Sequence, residues 1–212
     1  MLVENIMRSP VYSVPREISV FEAMQFAAQK QIRHLPVLDG EKLVGLVTDR
    51  DFREAGPSSL FADRDVEIMK TTPVSKIMHR SVITVHSLDF FDEAVKLMYE
   101  YKVGSLPVVS KGKVVGIVTE LDVFNHLVGM LGILAPGNYL EVDTPDEPGV
   151  LAEITQIIKS HGVNLSSVML GPSKEVGRKC LVLRLQALNI SKIVEEIEGA
   201  GYKILWPMSA GG

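Results

Sequence analysis

In the first half of the chain, segments with strand-like spacing of apolar residues alternate in a fixed order with segments of helical spacing. A short apolar segment at residues 11–14 predicts a strand, and residues 19–31 carry apolar side chains at helical spacing. Two runs rich in branched residues, LPVLD and LVGLVTD, are separated by a turn at Asp39-Gly40 and predict two further strands. The sequence DRDF then opens a second helix. The predicted order is β-α-β-β-α.

This order occurs twice, because the first half of the chain is duplicated without a gap at an offset of 71 residues. The aligned identities include Ile6-Met7 with Ile77-Met78, Leu35-Pro36-Val37 with Leu106-Pro107-Val108, and Thr48 and Asp51 with Thr119 and Asp122. A unit of about 60 residues is marginally stable alone, so we expect the two copies to pack against each other. Residues 55–72, with mixed charges and Gly56-Pro57, are predicted to connect them.

A different pattern begins after Gly137. A strand, a turn at residues 146–149 and an amphipathic helix that stops at His161-Gly162 come first. The remaining elements are two strands, a helix and a final strand, predicted over residues 163–170, 179–186, 190–198 and 202–206. The order β-α-β-β-α-β predicts a ferredoxin-like domain, in which two helices cover one face of a four-stranded antiparallel sheet.

Composition and charge narrow the class of protein. Of the 212 residues, 46% are hydrophobic and 23% are charged, which is typical of a folded globular chain. The formal net charge of -4 has the wrong sign for binding phosphate backbones or anionic lipid, so neither nucleic acid nor a membrane is expected as a partner. The single cysteine, Cys180, and the lack of a targeting or spanning segment predict a cytoplasmic protein.

Two Thr–Asp pairs, each between a predicted strand and a predicted helix, are the strongest candidates for chemistry. We name Thr48 with Asp51 the first pair and Thr119 with Asp122 the second pair. Backbone N–H groups and a Thr hydroxyl at such a junction can meet a phosphate, and the carboxylate can accept both hydroxyls of a ribose. The alternative is simple helix capping, which is worth about 1 kcal/mol.

The sequence contains no complete catalytic constellation. Asp49 with Asp51, and Asp143 with residues 146–147, are nominal acid–base pairs without a nearby nucleophile or glycine-rich phosphate loop. Cys180 lies in an apolar strand and is expected to be a buried hydrophobe. The five histidines lack the spacing of a metal site. We therefore expect a non-catalytic protein without a metal or other cofactor.

The duplicated pattern resembles a tandem of cystathionine-β-synthase (CBS) domains, a Bateman module. The resemblance covers residues 1–60 and 73–132 and rests on the Leu-Pro-Val strand and the Gly-x-Val-Thr-x-x-Asp ending, which both occur twice. Residues 138–208, with Asp-x-Pro-Gly-x-Leu and a later Gly-Val-Asn-Leu, are similar to an ACT domain. The order of domains resembles the acetoin-utilisation AcuB-like proteins. It implies a mixed α/β (α+β) fold, a CBS-domain pair plus a C-terminal ferredoxin-like ACT domain.

The CBS resemblance implies a regulatory sensor that binds an adenosine-containing nucleotide, AMP, ATP or S-adenosylmethionine, at the two pairs. Arg33 and His34 precede the first Leu-Pro-Val strand, where the second copy has Gly104 and Ser105. The resemblance implies that this basic dipeptide reaches a phosphate held by the second pair, and the alternative is two solvated surface residues. Two aligned apolar residues, Val11 and Val82, either contact an adenine or belong to the core.

The ACT resemblance implies a small amino or organic acid bound at the interface of a homodimer. Gly149 precedes a helix N-terminus, where the N–H groups of Val150 and Leu151 could hold a carboxylate, and Asn164 could read the amino group. The same residues also suit a purely structural turn, in a domain that only dimerises. For the whole chain, the alternatives are a structural or interaction module without ligand, and a regulatory component of acetoin catabolism that acts on an unidentified partner enzyme.

Overall fold

The computed structural model describes residues 1–56 and 62–207, the first four residues of the second range by their backbone alone. The chain divides into two compact units, Met1–Phe124 and Asn125–Gly212. Both units mix helices and strands, which confirms the predicted α+β class. None of the helices in the described ranges is long and apolar enough to cross a lipid bilayer.

The first unit contains the predicted order of elements twice. The first copy consists of β1 (Val14–Pro15), α1 (Val20–Lys30), β2 (His34–Asp39), β3 (Lys42–Thr48), α2 (Asp49–Ala55) and α3 (Ala62–Thr71). The second copy consists of β4 (Val85–His86), α4 (Phe91–Tyr101), β5 (Ser105–Ser110), β6 (Lys113–Thr119) and α5 (Glu120–Met130). Helix α5 continues past the bound of the unit.

One sequence prediction about this unit is wrong, and another is incomplete. The strand predicted over residues 11–14 begins only at Val14, because β1 pairs with β2 through Val14 and Pro15 alone. The segment predicted as a connector, residues 55–72, contains helix α3, whose Met69 is buried in the core of the first copy. The part of that segment at residues 57–61 lies outside the described residues.

Each copy forms a three-stranded sheet. The short first strand pairs in parallel with the second strand, which pairs antiparallel with the third. Gly40 turns the first hairpin with a φ of 61°, a conformation that favours glycine. The register sets His34 opposite Thr48 and Ser105 opposite Thr119. The start of each Leu-Pro-Val strand therefore lies beside the Thr of its own copy.

The segment that precedes each copy packs onto the other copy. Val3 is fully buried in the core of the second copy, and Val74, which follows α3, is fully buried in the core of the first. We call this an exchange of leading segments. It stabilises two copies that are each small, because the segment that leads one copy adds apolar side chains to the core of the other copy.

Backbone hydrogen bonds fix the exchanged segments in register. Arg8 donates its N–H to Ile117 at 2.9 Å and accepts one from Ile117 at 3.1 Å. His79 and Leu46 form the equivalent pair of bonds, both at 2.9 Å. Arg8 and His79 thus occupy corresponding positions, one beside each third strand.

The second unit has the predicted ferredoxin-like order. It consists of β7 (Asn138–Pro145), α6 (Val150–Ser160), β8 (Leu165–Pro172), β9 (Arg178–Leu185), α7 (Ser191–Gly199) and β10 (Lys203–Trp206). The strand order is β10-β7-β9-β8 with every neighbour antiparallel. Ile154 and Ile158 of α6 and Ile193 and Ile197 of α7 recur at helical spacing and pack against the sheet.

The sheet face away from these helices carries a buried arginine. Arg184 alternates with core residues of β9, and only 8% of it is exposed. Its guanidinium lies 4.7 Å from the ring centre of Tyr139, and Nη2 donates to the carbonyl oxygens of Ile133 and Ala135. These contacts tie the segment that follows α5 to the sheet.

Candidate functional site

Both Thr–Asp pairs form capping boxes where a strand ends and a helix begins. Asp51 Oδ2 accepts hydrogen bonds from the N–H and the hydroxyl of Thr48, both at 2.7 Å. Asp122 Oδ2 accepts the same two bonds from Thr119, at 3.0 and 2.5 Å. Both Thr–Asp pairs therefore cap the helices that follow them. The cap uses one carboxylate oxygen of each Asp, Oδ2, and leaves Oδ1 outside the cap.

The second carboxylate oxygen of each Asp meets a basic side chain from the exchanged segment. Arg8 Nε donates to Asp122 Oδ1 at 2.8 Å. His79 Nε2 lies 2.9 Å from Asp51 Oδ1, an ion pair when the imidazole is protonated. Both carboxylates are largely buried, whereas both basic side chains are more than half exposed.

Arg8 and His79 are absent from the sequence-based set of site residues. A signal for them was present, because they are aligned at the offset of the repeat and each follows an Ile-Met dipeptide. Their side chains, however, reach an Asp of the other copy. The alignment alone indicates no such contact, since it relates equivalent positions and not neighbouring ones.

A cavity of about 520 Å³ lies between the two copies, beside the second pair. Its lining combines basic residues of the first copy with the start of α5, and includes Arg8, Arg33, His34, Gly104, Thr119 and Glu120. The structure thus brings the Arg33-His34 dipeptide together with Thr119, across the copies. The cavity has a cationic side and a helix N-terminus, which together can hold an anionic group.

Gly104 makes the two copies chemically unequal at this cavity. It aligns with Arg33, and a Cβ added at Gly104 would lie 3.4 Å from both His34 Nε2 and Glu120 Oε2. The absence of a side chain there leaves room between His34 and Glu120. The aligned position thus contributes a guanidinium in the first copy and open space in the second.

Burial governs the charge of His34. Desolvation lowers the pKa of the imidazole, and Arg33 lowers it further, while Asp49 and Glu120 raise it. The net direction is downward from 6.5, so His34 is neutral at pH 7. A bound anion beside this ring would favour the protonated form.

Val11 and Val82 are half-buried residues that precede β1 and β4. Neither belongs to the buried cores formed by the described residues, which argues against the core alternative. No contact described for them shows an adenine-binding role, which stays a prediction.

The predicted ACT site residues lie at opposite ends of α6. Gly149 is the N-cap, with a φ of 99°, and Val150 and Leu151 form the first turn. Asn164 follows the other end of this 11-residue helix, roughly 16 Å away at 1.5 Å per residue. One chain therefore does not bring Asn164 to the helix N-terminus, and the predicted site requires a second copy.

The nominal acid–base pairs are held in structural contacts. Asp49 pairs with Arg53 at 2.9 Å, and Asp143 accepts from Ser173 at 2.9 Å and from Arg178 at 2.6 Å. Burial, together with nearby carboxylates, raises the pKa of the Cys180 thiol, which disfavours the reactive thiolate. Across residues 1–56 and 62–207, no three His, Cys, Asp or Glu side chains gather as metal ligands.

Family models match three regions of the chain. The CBS domain model matches residues 3–58 and 74–129, and the ACT domain model matches residues 138–201. A CBS domain-containing protein of Dictyostelium discoideum is 30% identical over 141 residues, which cover 64% of this chain and 97% of that protein. The inosine-5'-monophosphate dehydrogenase of Korarchaeum cryptofilum is 39% identical over 122 residues, which cover 57% of this chain but only 23% of the enzyme.

Three solved structures are each similar to about three fifths of this chain. The CBS domain pair of protein MJ0100, in complex with 5'-methylthioadenosine and S-adenosyl-L-methionine, is 31% identical with a TM-score of 0.52, covering 61% of this chain and 97% of that one. CBSX2 in complex with AMP is 27% identical with a TM-score of 0.51, covering 60% and 96%. A putative acetoin utilization protein (AcuB) from Vibrio cholerae is 28% identical with a TM-score of 0.54, covering 63% and 95%.

The matched regions account for both units. Two regions matched by the CBS model make up the first unit's repeat, and the ACT match falls within the ferredoxin-like unit. The likeness to AcuB supports the AcuB-like architecture. The chain therefore belongs to the CBS-domain family and carries two CBS domains followed by a C-terminal ACT domain.

Proposed function

We propose that this chain is a non-catalytic regulatory sensor, in which the CBS pair binds an adenosine-containing compound. The observation that carries the proposal is the cavity of about 520 Å³, because it sets basic residues of one copy beside the helix N-terminus of the other. A cavity of this size suits a nucleotide. The complexes of similar CBS pairs with AMP, and with 5'-methylthioadenosine and S-adenosyl-L-methionine, support an adenosine ligand.

The lining of the cavity favours one orientation of the ligand. In this orientation Arg33 supplies the positive charge and His34 a second hydrogen-bonding group toward the phosphate. Asp122, which follows the lining residue Leu121 in the chain, is the proposed ribose acceptor, and Ile32 and Ile117 offer apolar surface to the adenine. The ligand acts as a regulatory signal and not as a cofactor.

Replacing Arg33 by alanine is expected to weaken AMP binding about tenfold and leave adenosine binding nearly unchanged. The reason is that only AMP presents a phosphate to the guanidinium, and a hydrogen bond to a charged group is worth about 1.5 kcal/mol or more. Calorimetric titration with both ligands measures the ratio. Arg80→Ala is the control, because Arg80 is exposed and its removal changes the net charge equally. Equal losses for AMP and adenosine would reject the proposed orientation.

Relative to a His34→Gln variant, the affinity for AMP is expected to rise as the pH falls below about 7. His34 is neutral in the free protein because its pKa is lowered from 6.5, and a bound phosphate raises that pKa, so binding takes up a proton. Calorimetry on both sides of that pH measures the effect. The phosphate's own titration is common to wild type and His34→Gln, so it cancels in their difference. Identical pH profiles for the two proteins would contradict the assignment.

The ACT domain is proposed to join two copies through β8. This strand lies at the edge of the sheet, and Val168 and Leu170 on it are exposed, as is Leu151 on α6. Pairing with a second β8 removes unpaired backbone groups and covers this apolar surface. An antiparallel pair of strands also sets the Gly149 end of one copy near Asn164 of the other. That interface is the proposed site for a small amino or organic acid.

Leu170→Glu is expected to convert a dimer into a monomer, because the charge would be buried against the second copy. Light scattering should give twice the 23.3 kDa chain mass for the wild type and the single mass for the variant. Val176→Glu is the matched control, since Val176 is fully exposed in the turn between β8 and β9. A wild type of single mass at micromolar concentration would contradict the dimer.

The signal is proposed to act on a partner enzyme in the cytoplasm. The single cysteine, Cys180, fits a reducing compartment. The likeness to AcuB makes an enzyme of acetoin catabolism a candidate partner.

A further inference from the structure

Both oxygens of each pair's carboxylate are occupied in the structure. Oδ2 accepts the capping bonds, and Oδ1 accepts from a basic side chain, Arg8 at the second pair and His79 at the first. The capping bonds are local and hold the start of the helix. An ionised carboxylate offers about four acceptor sites, of which the cap uses two and the basic side chain uses one, so Asp122 or Asp51 can accept both hydroxyls of a ribose only by releasing the basic side chain from Oδ1.

The backbone contacts of Arg8 and His79 do not depend on their side chains. Arg8 is fixed by two backbone hydrogen bonds to Ile117, and its side chain is 54% exposed. His79 is fixed in the same way to Leu46, and its side chain is 68% exposed. Rotation of the side chain into solvent breaks one ion pair and none of these backbone bonds.

We propose that Arg8 and His79 are displaceable competitors of the ribose, and that Arg8 sets the preference of the second site for phosphorylated ligands. This inference rests on the proposed function and adds to it. An uncharged nucleoside has to break the Arg8–Asp122 ion pair and has no anionic group to pair with the displaced guanidinium. A nucleotide offers its phosphate, and the displaced guanidinium already lies on the lining of the cavity together with Arg33.

Arg8→Ala tests the inference when it is placed in an Asp51→Asn background, so that only the second site reports. Asn keeps an acceptor oxygen for the cap of α2. Adenosine is expected to bind about fivefold more tightly to the variant, since an ion pair whose basic partner is more than half exposed is worth up to about 1 kcal/mol. The affinity for 2',3'-dideoxyadenosine, which lacks the diol, should not change, and AMP should not gain. His79→Ala in an Asp122→Asn background should tighten adenosine binding at the first site.

Calorimetry with these three ligands decides between the outcomes, with Arg80→Ala as the charge control. Weaker or unchanged adenosine binding after Arg8→Ala overturns the inference, as does an equal gain for dideoxyadenosine. If neither the wild type nor Arg8→Ala binds any adenosine compound, both the inference and the proposed function fail. If the wild type binds and the variant does not bind adenosine more tightly, only the inference fails.

Discussion

Replacing Asp122 by alanine is expected to weaken AMP binding at the second site about tenfold to a hundredfold. The carboxylate is the proposed acceptor of the ribose hydroxyls, and a hydrogen bond to a charged group is worth about 1.5–3 kcal/mol. Asp122→Ala also removes the capping box of α5, which costs about 1 kcal/mol of folding stability. The experiment therefore has to separate the loss of the ligand from the loss of the cap.

Helix α1 provides the control for capping. Ser19 and Glu22 form a capping box of the same kind, in which Glu22 accepts from the Ser19 N–H at 3.2 Å and from its hydroxyl at 2.6 Å. Neither residue lines the cavity. Glu22→Ala should lose similar thermal stability and bind AMP like the wild type. Equal affinities of Asp122→Ala and Glu22→Ala would show that the second pair only caps its helix.

Gly116→Ala is expected to destabilise the first unit by about 1–3 kcal/mol, the usual cost of forcing extra volume into a packed site. A Cβ at this position of β6 would lie 2.6 Å from Met7 Sδ and 3.0 Å from the Arg8 carbonyl oxygen. Both neighbours belong to the exchanged leading segment. The variant therefore tests whether the two copies interlock as the structure shows.

A double-mutant cycle with Met7→Ala isolates this contact. Met7→Ala alone should destabilise the unit by loss of packing, but it removes the sulfur that a Cβ at Gly116 would meet. The double variant should then be more stable than the sum of the two changes by at least about 0.5 kcal/mol, measured by denaturant unfolding. Strict additivity would mean that Met7 does not lie over Gly116.

Local signals in the sequence predict most of the fold. The turn at Gly40, the branched strands on either side of it and the caps that open α1 and α2 depend on neighbouring residues, so periodicity and turn chemistry identify them. The junction of each Thr–Asp pair follows from the same signals. The grouping of Arg33 and His34 with Thr119 came from the family resemblance, since no local pattern indicates it.

The features that the sequence analysis missed depend on contacts between distant parts of the chain. Helix α3 is charged over much of its length, so its sequence does not indicate that Met69 is buried in the core of the first copy. Arg8 meets its partner Asp122 across 114 residues. This contact forms because the leading segments are exchanged between the copies. The exchange depends on tertiary packing and not on local sequence propensity.

The most direct test of the central claim is a calorimetric titration of AMP into the wild type and into the Asp51→Ala, Asp122→Ala double variant. The account predicts saturable binding to the wild type and none to the double variant at the same millimolar ligand concentration, with the variant still folded by circular dichroism. No saturable heat in the wild type, or an unchanged isotherm in the double variant, would contradict it.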